Sequence, residues 1–374
     1  MRQRRPSRVI IQFLQLDGLM HLGTAALLEF FRAHRNEDSL VLATIIATAG
    51  STYRKPGAMM LISRDGEYAG LISGGCLEGD LLHHAEQVFG NGMPSLVTYD
   101  MHADEEWVWN LGLGCDGVIH LLLQRLDPQD FGLLDQMAAS HEAGHAVLLA
   151  LVTQSDGEVP LGAWSLLDST DMSDGKPELT LFLRDLAEDW PTWRFQHVRL
   201  GQQSQAEAIV VQVPAPTRVL LCGGGPDAVP MARALVDLDW KVVVTDHRPA
   251  FAKAQRFPAG CRILQCRPER LAERLDLAVL DAAVIMSHHL ENDGLYLGQL
   301  AQYEIPYLGI LGPRARRERL MDLAKCRGRE IYGPIGLDIG AELPSAIALA
   351  AAAEIHAVLN GRTGSTLTGQ LDEP

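Results

Sequence analysis

Residues 218 to 246 constrain this chain more than any other stretch. The apolar run "RVLLC" leads into the turn "CGGGPDA", which opens the helical pattern "VPMARALVDL" and then the run "KVVVTD". A short, wholly apolar run is a strand buried on both faces, and the helix after it returns the chain so that the next strand lies parallel to the first. The alternation continues through a short strand near "RILQC", the strand "AAVIMS", the helix "ENDGLYLGQLAQ", the strand "PYLGIL" and the helix "PRARRERLMDLAK". A last Ala-rich helix, "LPSAIALAAAAEIHAVLN", ends at Gly361, a residue suited to the left-handed C-terminal position. The prediction is a Rossmann-like domain over residues 213–361, with a parallel sheet covered by helices. Its glycine turn predicts a phosphate site. Gly223 permits the tight turn, Gly225 the close approach of phosphate, and the amides of Gly223, Gly224 and Gly225 the donors. Asp246, at the end of the second strand, stands where an acid binds ribose hydroxyls. Pro226 removes one N–H from this cradle.

Before residue 213 the pattern is different. At 374 residues the chain exceeds what one core fills, so a second domain is expected. A helix in "TAALLEFFRAH" and a strand in "SLVLATIIAT" begin it. Asp65-Gly66 turns a hairpin within "AMMLISRDGEYAGLIS". A helix in "LEGDLLHHAEQVF" and strands in "SLVTYD" and "GVIHLLLQ" follow. Asp127-Pro128 opens a further helix as N-cap and first-turn proline. After "AVLLALVT", residues 154–205 read as polar, irregular and strand-like. The expectation is an α+β domain over 21–212, joined by the extended linker "VPAPT". A flexible extension over 1–20 and a disordered tail over 362–374 complete the division. The first twenty residues have the Arg-then-apolar order of a signal peptide, but Gln12, Gln15 and Asp17 interrupt the apolar run. No apolar stretch is long enough to span a bilayer.

The net charge of −15 argues against a nucleic-acid binder, so an anionic ligand must be held by local Arg residues or helix N-termini. The six cysteines contain no CxxC pair, which argues against a zinc ribbon and fits the reducing cytoplasm. Two of them lie in glycine-rich turns. Cys76 in "SGGCLEGD" falls just ahead of a helix, where the helix dipole favours thiolate. Cys115 lies in "LGLGCDG". Both suit sulfur or soft-ligand chemistry, and the competing reading is two small buried apolar side chains. Arg54, with Lys55, lies in a glycine- and proline-bounded loop suited to phosphate. His288 follows the fourth strand of the Rossmann-like half on its ligand side, and Arg314 stands at the start of a helix after Gly312-Pro313. For Arg314 a solvated helix face is the alternative.

The motifs "GSTYRKPGAMMLIS", "SGGCLEGD", "LGLGCDG", "HHLENDGLYL", "LGILGPRARRERL" and "GPIGLDIGAELP" resemble, in order, those of the XdhC/CoxI family, accessory proteins of xanthine dehydrogenase and related molybdenum hydroxylases. The resemblance runs from about Thr24 to Gly361. It implies a cytoplasmic, non-enzymatic chaperone that binds molybdenum cofactor (molybdopterin in its mono- or dinucleotide form), protects it during sulfuration and inserts it into an apo-hydroxylase. A molybdenum hydroxylase client, a cysteine desulfurase and a second copy of the chain are the implied partners, and no nucleic acid or membrane. Cys76 and Cys115 would then face the metal–dithiolene end, and Gly223 to Gly225 the phosphate end. Many members have a His after the glycine loop where this chain has Pro226 and Asp227, so no role of that His carries over. Two alternatives stay open: an enzyme transferring sulfur through a cysteine persulfide, and an NAD(P)-dependent oxidoreductase.

Overall fold

The computed structural model describes residues 23–101, 117–155, 157–187, 194–200 and 205–368. The chain forms two compact units, one up to Ala215 and one from Pro216.

The first unit begins with α1 (Thr24–Ala33), whose Leu27, Leu28, Phe30 and Phe31 are buried at the three- and four-residue spacing of one helix face. Strand β1 (Leu40–Gly50) follows, then β2 (Met59–Ile62) and β3 (Tyr68–Gly70). Asp65-Gly66 makes the turn between them, with Gly66 at φ 82. After α2 (Glu78–Asn91), strands β4 (Ser95–Asp100) and β5 (Gly117–Leu126) complete an antiparallel sheet of order β3-β2-β1-β5-β4. Asp127 caps only a 3-10 turn, Pro128–Asp130, through a capping box, and α3 (Gly132–Ala143) starts after it. A second antiparallel sheet, of order β8-β7-β6-β10-β9, contains β6 (Val147–Gln154), β7 (Trp164–Asp168), β8 (Ser173–Gly175), β9 (Phe195–Arg199) and β10 (Glu207–Val213).

Between β8 and β9 lies α4 (Pro177–Ala187), where the sequence reads as strand-like. Its Leu183 is fully buried in one cluster with Leu148, Ala150 and Val210 of the second sheet. Burial of that face overrides the strand preference of Thr180 and Phe182. The two sheets share one core. Leu40, Leu42 and Leu122 from the first meet Leu149, Leu151, Ile209 and Val211 from the second, together with α1 and α3. The alternate residues Val41, Ala43, Ile45, Leu121 and Leu123 face outward under α2.

The second unit is a parallel sheet of β11 (Arg218–Cys222), β12 (Lys241–Asp246), β13 (Arg262–Gln265), β14 (Ala282–Ile285) and β15 (Tyr307–Ile310), in the order β13-β12-β11-β14-β15. The direction of winding reverses between β11 and β14. On one face lie α5 (Ala228–Val236) and α8 (Pro344–Leu359), against Val219, Leu221, Val244 and Val284. On the other lie α6 (Leu290–Leu300) and α7 (Arg314–Ala324), against Leu220, Cys222, Ile285 and Ile310. This is the doubly wound Rossmann arrangement. Its crevice opens where the loops after β11 and β14 diverge.

Candidate functional site

The glycine loop turns out of β11 against the backbone of the neighbouring strand end. Gly223 adopts φ +126, and a Cβ there would lie 2.6 Å from the Ser287 backbone. Its amide donates to the Thr245 carbonyl at 2.8 Å. The Gly224 amide donates to Asp246 Oδ2 at 2.8 Å. Two of the three expected phosphate donors are therefore spent within the protein. The amides of Gly225 and Asp227 have no acceptor among the described residues. A Cβ on Gly225 would meet only His288 Cδ2, at 4.0 Å, so nothing in the fold requires glycine there. The open space beside it suits the approach of a ligand.

Asp246 stands at the predicted strand end, but its carboxylate is 1% exposed and held by Arg248. Nε and Nη2 of Arg248 donate to its two oxygens at 3.0 and 2.8 Å, and the Arg248 amide donates at 2.9 Å. Burial alone would raise its pKa. The Arg248 guanidinium and the amides of Gly224 and Arg248 outweigh burial and hold the carboxyl below its usual range. Arg256 clamps the loop from the far side through the carbonyls of Gly224 and Phe251, at 2.5 and 3.0 Å.

Across the crevice, His288 sits at φ 61 and its Nε2 lies 3.0 Å from Asp227 Oδ2, joining the two lips. Its neighbour His289 diverges from it to cap α6, accepting from the Asn292 amide. Asp293, fully buried, accepts from the Ser287 amide and hydroxyl and from Arg316 Nη2 at 2.5 Å. It thereby ties the β14 loop to the start of α7.

In the first unit, Ser73 and Glu78 build the loop that carries Cys76. The buried Glu78 carboxylate accepts from the amides of Ile72 and Ser73, at 3.2 and 2.8 Å, and from Ser73 Oγ at 2.6 Å. Ser73 Oγ in turn accepts from the amides of Gly75, Cys76 and Leu77 at 3.1 to 3.3 Å. Cys76 is half-buried and unbridged, and Gly74 and Gly75 face open space.

Two family models match the chain: the XdhC and CoxI family over residues 33–100 and the XdhC Rossmann domain over residues 219–355. A protein of Bacillus subtilis (strain 168), named as a probable xanthine dehydrogenase subunit, is 30% identical over 338 residues, covering 90% of this chain and 97% of that protein. The chain belongs to the XdhC and CoxI family. A solved structure described as a xanthine dehydrogenase from Bacillus halodurans is similar at TM-score 0.74 and 28% identity, over 91% of this chain and 98% of that one. A shorter match, 34% identical over 86 residues, joins 23% of this chain to 26% of the Escherichia coli (strain K12) molybdenum cofactor insertion chaperone PaoD.

Within this XdhC/CoxI chain the structure gathers Gly223, Gly224, Gly225, Asp246 and His288 at one crevice. It places Arg314 on the exposed side of α7, paired with Glu318, while Arg316 takes the inward position. Arg54 lines a cleft of about 500 Å³ in the first unit with Tyr53, Lys55 and Arg194. Cys115 lies outside the described residues. Sequence reasoning missed the Ser73–Glu78 brace and the two clamps, Arg248 and Arg256. An Arg two residues beyond the strand-end acid was the available signal. Among the described residues no group of three or more His, Cys, Asp or Glu could hold a metal ion, and no helix is long and apolar enough to cross a membrane.

Proposed function

We propose that this protein is a maturation factor that binds molybdopterin-type cofactor as cargo and passes it to a molybdenum hydroxylase. The observation that carries this reading is the open face of Gly225. Two backbone amides with no acceptor among the described residues, at Gly225 and Asp227, belong to the loop after the first strand of a Rossmann sheet, the place where such sheets hold phosphate. The phosphate end of the cofactor fits this place. The metal end needs no ligand cluster from the protein, because the pterin dithiolene already carries the molybdenum. Two relatives named for xanthine dehydrogenase and for cofactor insertion support the same reading. Hydride transfer to nicotinamide is less well supported, because Asp246 has no acceptor left for a ribose. The half-buried thiol of Cys76 on an open glycine loop keeps sulfur transfer as a second reading.

The test is cofactor retention. Protein purified from a bacterial host that makes molybdopterin is expected to carry close to one equivalent, measured by mass analysis of the released small molecules. In Gly225→Val the side chain enters the ligand space, so retention should fall at least tenfold while stability changes by under about 1 kcal/mol. Equal retention by the folded variant would remove the loop from the site, and absence of cofactor from the native protein would sink the proposal.

A further inference from the structure

Asp246 occupies the position from which an acid in a dinucleotide-binding sheet takes ribose hydroxyls. A carboxylate offers about four lone-pair sites, and here four donors fill them. The Gly224 amide and Arg248 Nη2 reach Oδ2, both at 2.8 Å, and the Arg248 amide and Nε reach Oδ1 at 2.9 and 3.0 Å. His247 Nδ1 stands a further 3.6 Å from Oδ1. No capacity remains for a sugar diol.

Arg248 is in the opposite condition. Its side chain is 39% exposed, its guanidinium lies 4.0 Å from the centre of the Phe251 ring, and its Nη1 has no acceptor among the described residues. The Phe251 carbonyl would stand 2.7 Å from a Cβ on Gly224, and Arg256 pins that carbonyl in place. The segment from Arg248 to Arg256 thus closes the side of the loop where a nucleoside would rest.

We propose that the crevice of the second unit selects a terminal phosphate monoester and excludes a ribose, with Arg248 as the residue that decides this. The Gly225 and Asp227 amides and Arg248 Nη1 are the donors. This rests on the cofactor-binding reading above and makes the cargo the mononucleotide form of molybdopterin. Removing Arg248 loses one charge-assisted hydrogen bond to the phosphate and frees Asp246 for a sugar.

The full-length protein is titrated with four probes: inorganic phosphate, ethyl phosphate, CMP and NADP. Ethyl phosphate is expected to bind at least as tightly as CMP and NADP, so that a ribose adds nothing. Arg248→Leu should weaken ethyl phosphate about tenfold and shift the preference toward CMP. Arg248→Lys, which keeps the charge beside Asp246, should lose less, because only the fork geometry goes; it decides the matter if the leucine variant does not fold. CMP or NADP binding tenfold tighter than ethyl phosphate, or unchanged ethyl phosphate affinity in both variants, would overturn the proposal. The cofactor released from the native protein should be the mononucleotide, and recovery of the dinucleotide would also overturn it. If no molybdopterin is recovered, the cofactor reading fails, while the four titrations still decide what the crevice selects.

Discussion

Cys76 is the residue on which the two functional readings divide. Cys222 is fully buried, and burial pushes its thiol well above the ordinary value, with Asp293 adding to the effect. Burial pushes Cys261 up to about 11 and raises Cys266 and Cys326 as well. The thiolate is the nucleophile, so these four should react slowly. Cys76 presents a half-exposed thiol on a loop whose two glycines face open space. Among the cysteines of the described residues, iodoacetamide at about pH 8 is expected to modify Cys76 first and Cys222 last, as read by peptide mass mapping. Labelling of Cys222 or Cys261 ahead of Cys76 would show that the loop is closed in solution. Cys76→Ser then separates the readings: a client that receives cofactor lacking its terminal sulfur points to sulfur transfer, and full activation shows that the thiol is structural.

The start of α2 depends on one buried carboxylate. Its N-cap, Leu77, offers no side-chain cap. Ser73 Oγ supplies the acceptor for the first amides instead, and Glu78 holds Ser73 in place. Glu78→Ala would leave buried donors of Ile72 and Ser73 unsatisfied. The expected cost is about 2–4 kcal/mol, from urea denaturation, with faster alkylation of Cys76 as the loop loosens. A variant as stable as the native protein would show that water replaces the carboxylate there. Two elements resisted reading from the chain for related reasons. Helix α4 carries strand-forming residues and became a helix because the outer face of the second sheet needed cover. The turn after Asp127 stayed 3-10 because its capping box closes at Asp130, one residue short of Phe131, which is fully buried against α1.

The molecule as a whole should lose stability in acid through two buried carboxylates, one in each unit. Asp168 and Asp246 are both buried, which by itself would raise them. Hydrogen bonds from Thr170, Met172 and Ser140 to the first, and from Arg248 and Gly224 to the second, bring both below the ordinary value. A carboxylate lowered by folding stabilises fully above its unfolded pKa of about 3.9. That contribution is lost as pH falls through the lower folded value. Asp281, raised by burial although it accepts from the Arg218 amide, acts in the opposite direction. The urea midpoint should be nearly flat from about pH 7 to 5 and fall below about pH 4. Asp246→Asn should cost about 2–3 kcal/mol at neutral pH, discounted for the partly exposed Arg248, and less at about pH 3. An equal cost at both pH values would show that the charge on Asp246 does not hold the loop.

Hydrophobic period and turn chemistry are local properties, and they were enough for the parallel sheet, its glycine turn, the Asp65-Gly66 hairpin and the placement of Cys76 ahead of a helix. The motif order was enough for the family. Hydrogen-bond partnership is not local. Whether Asp246 meets a sugar or Arg248, whether Gly223 and Gly224 keep their amides free, and which of Arg314 and Arg316 turns inward depend on what the neighbouring strand ends and loops present in space. A glycine pattern announces where a backbone can come close to something. Only the packed crevice distinguishes the donors that the protein has already used from those, at Gly225 and Asp227, that have no acceptor among the described residues.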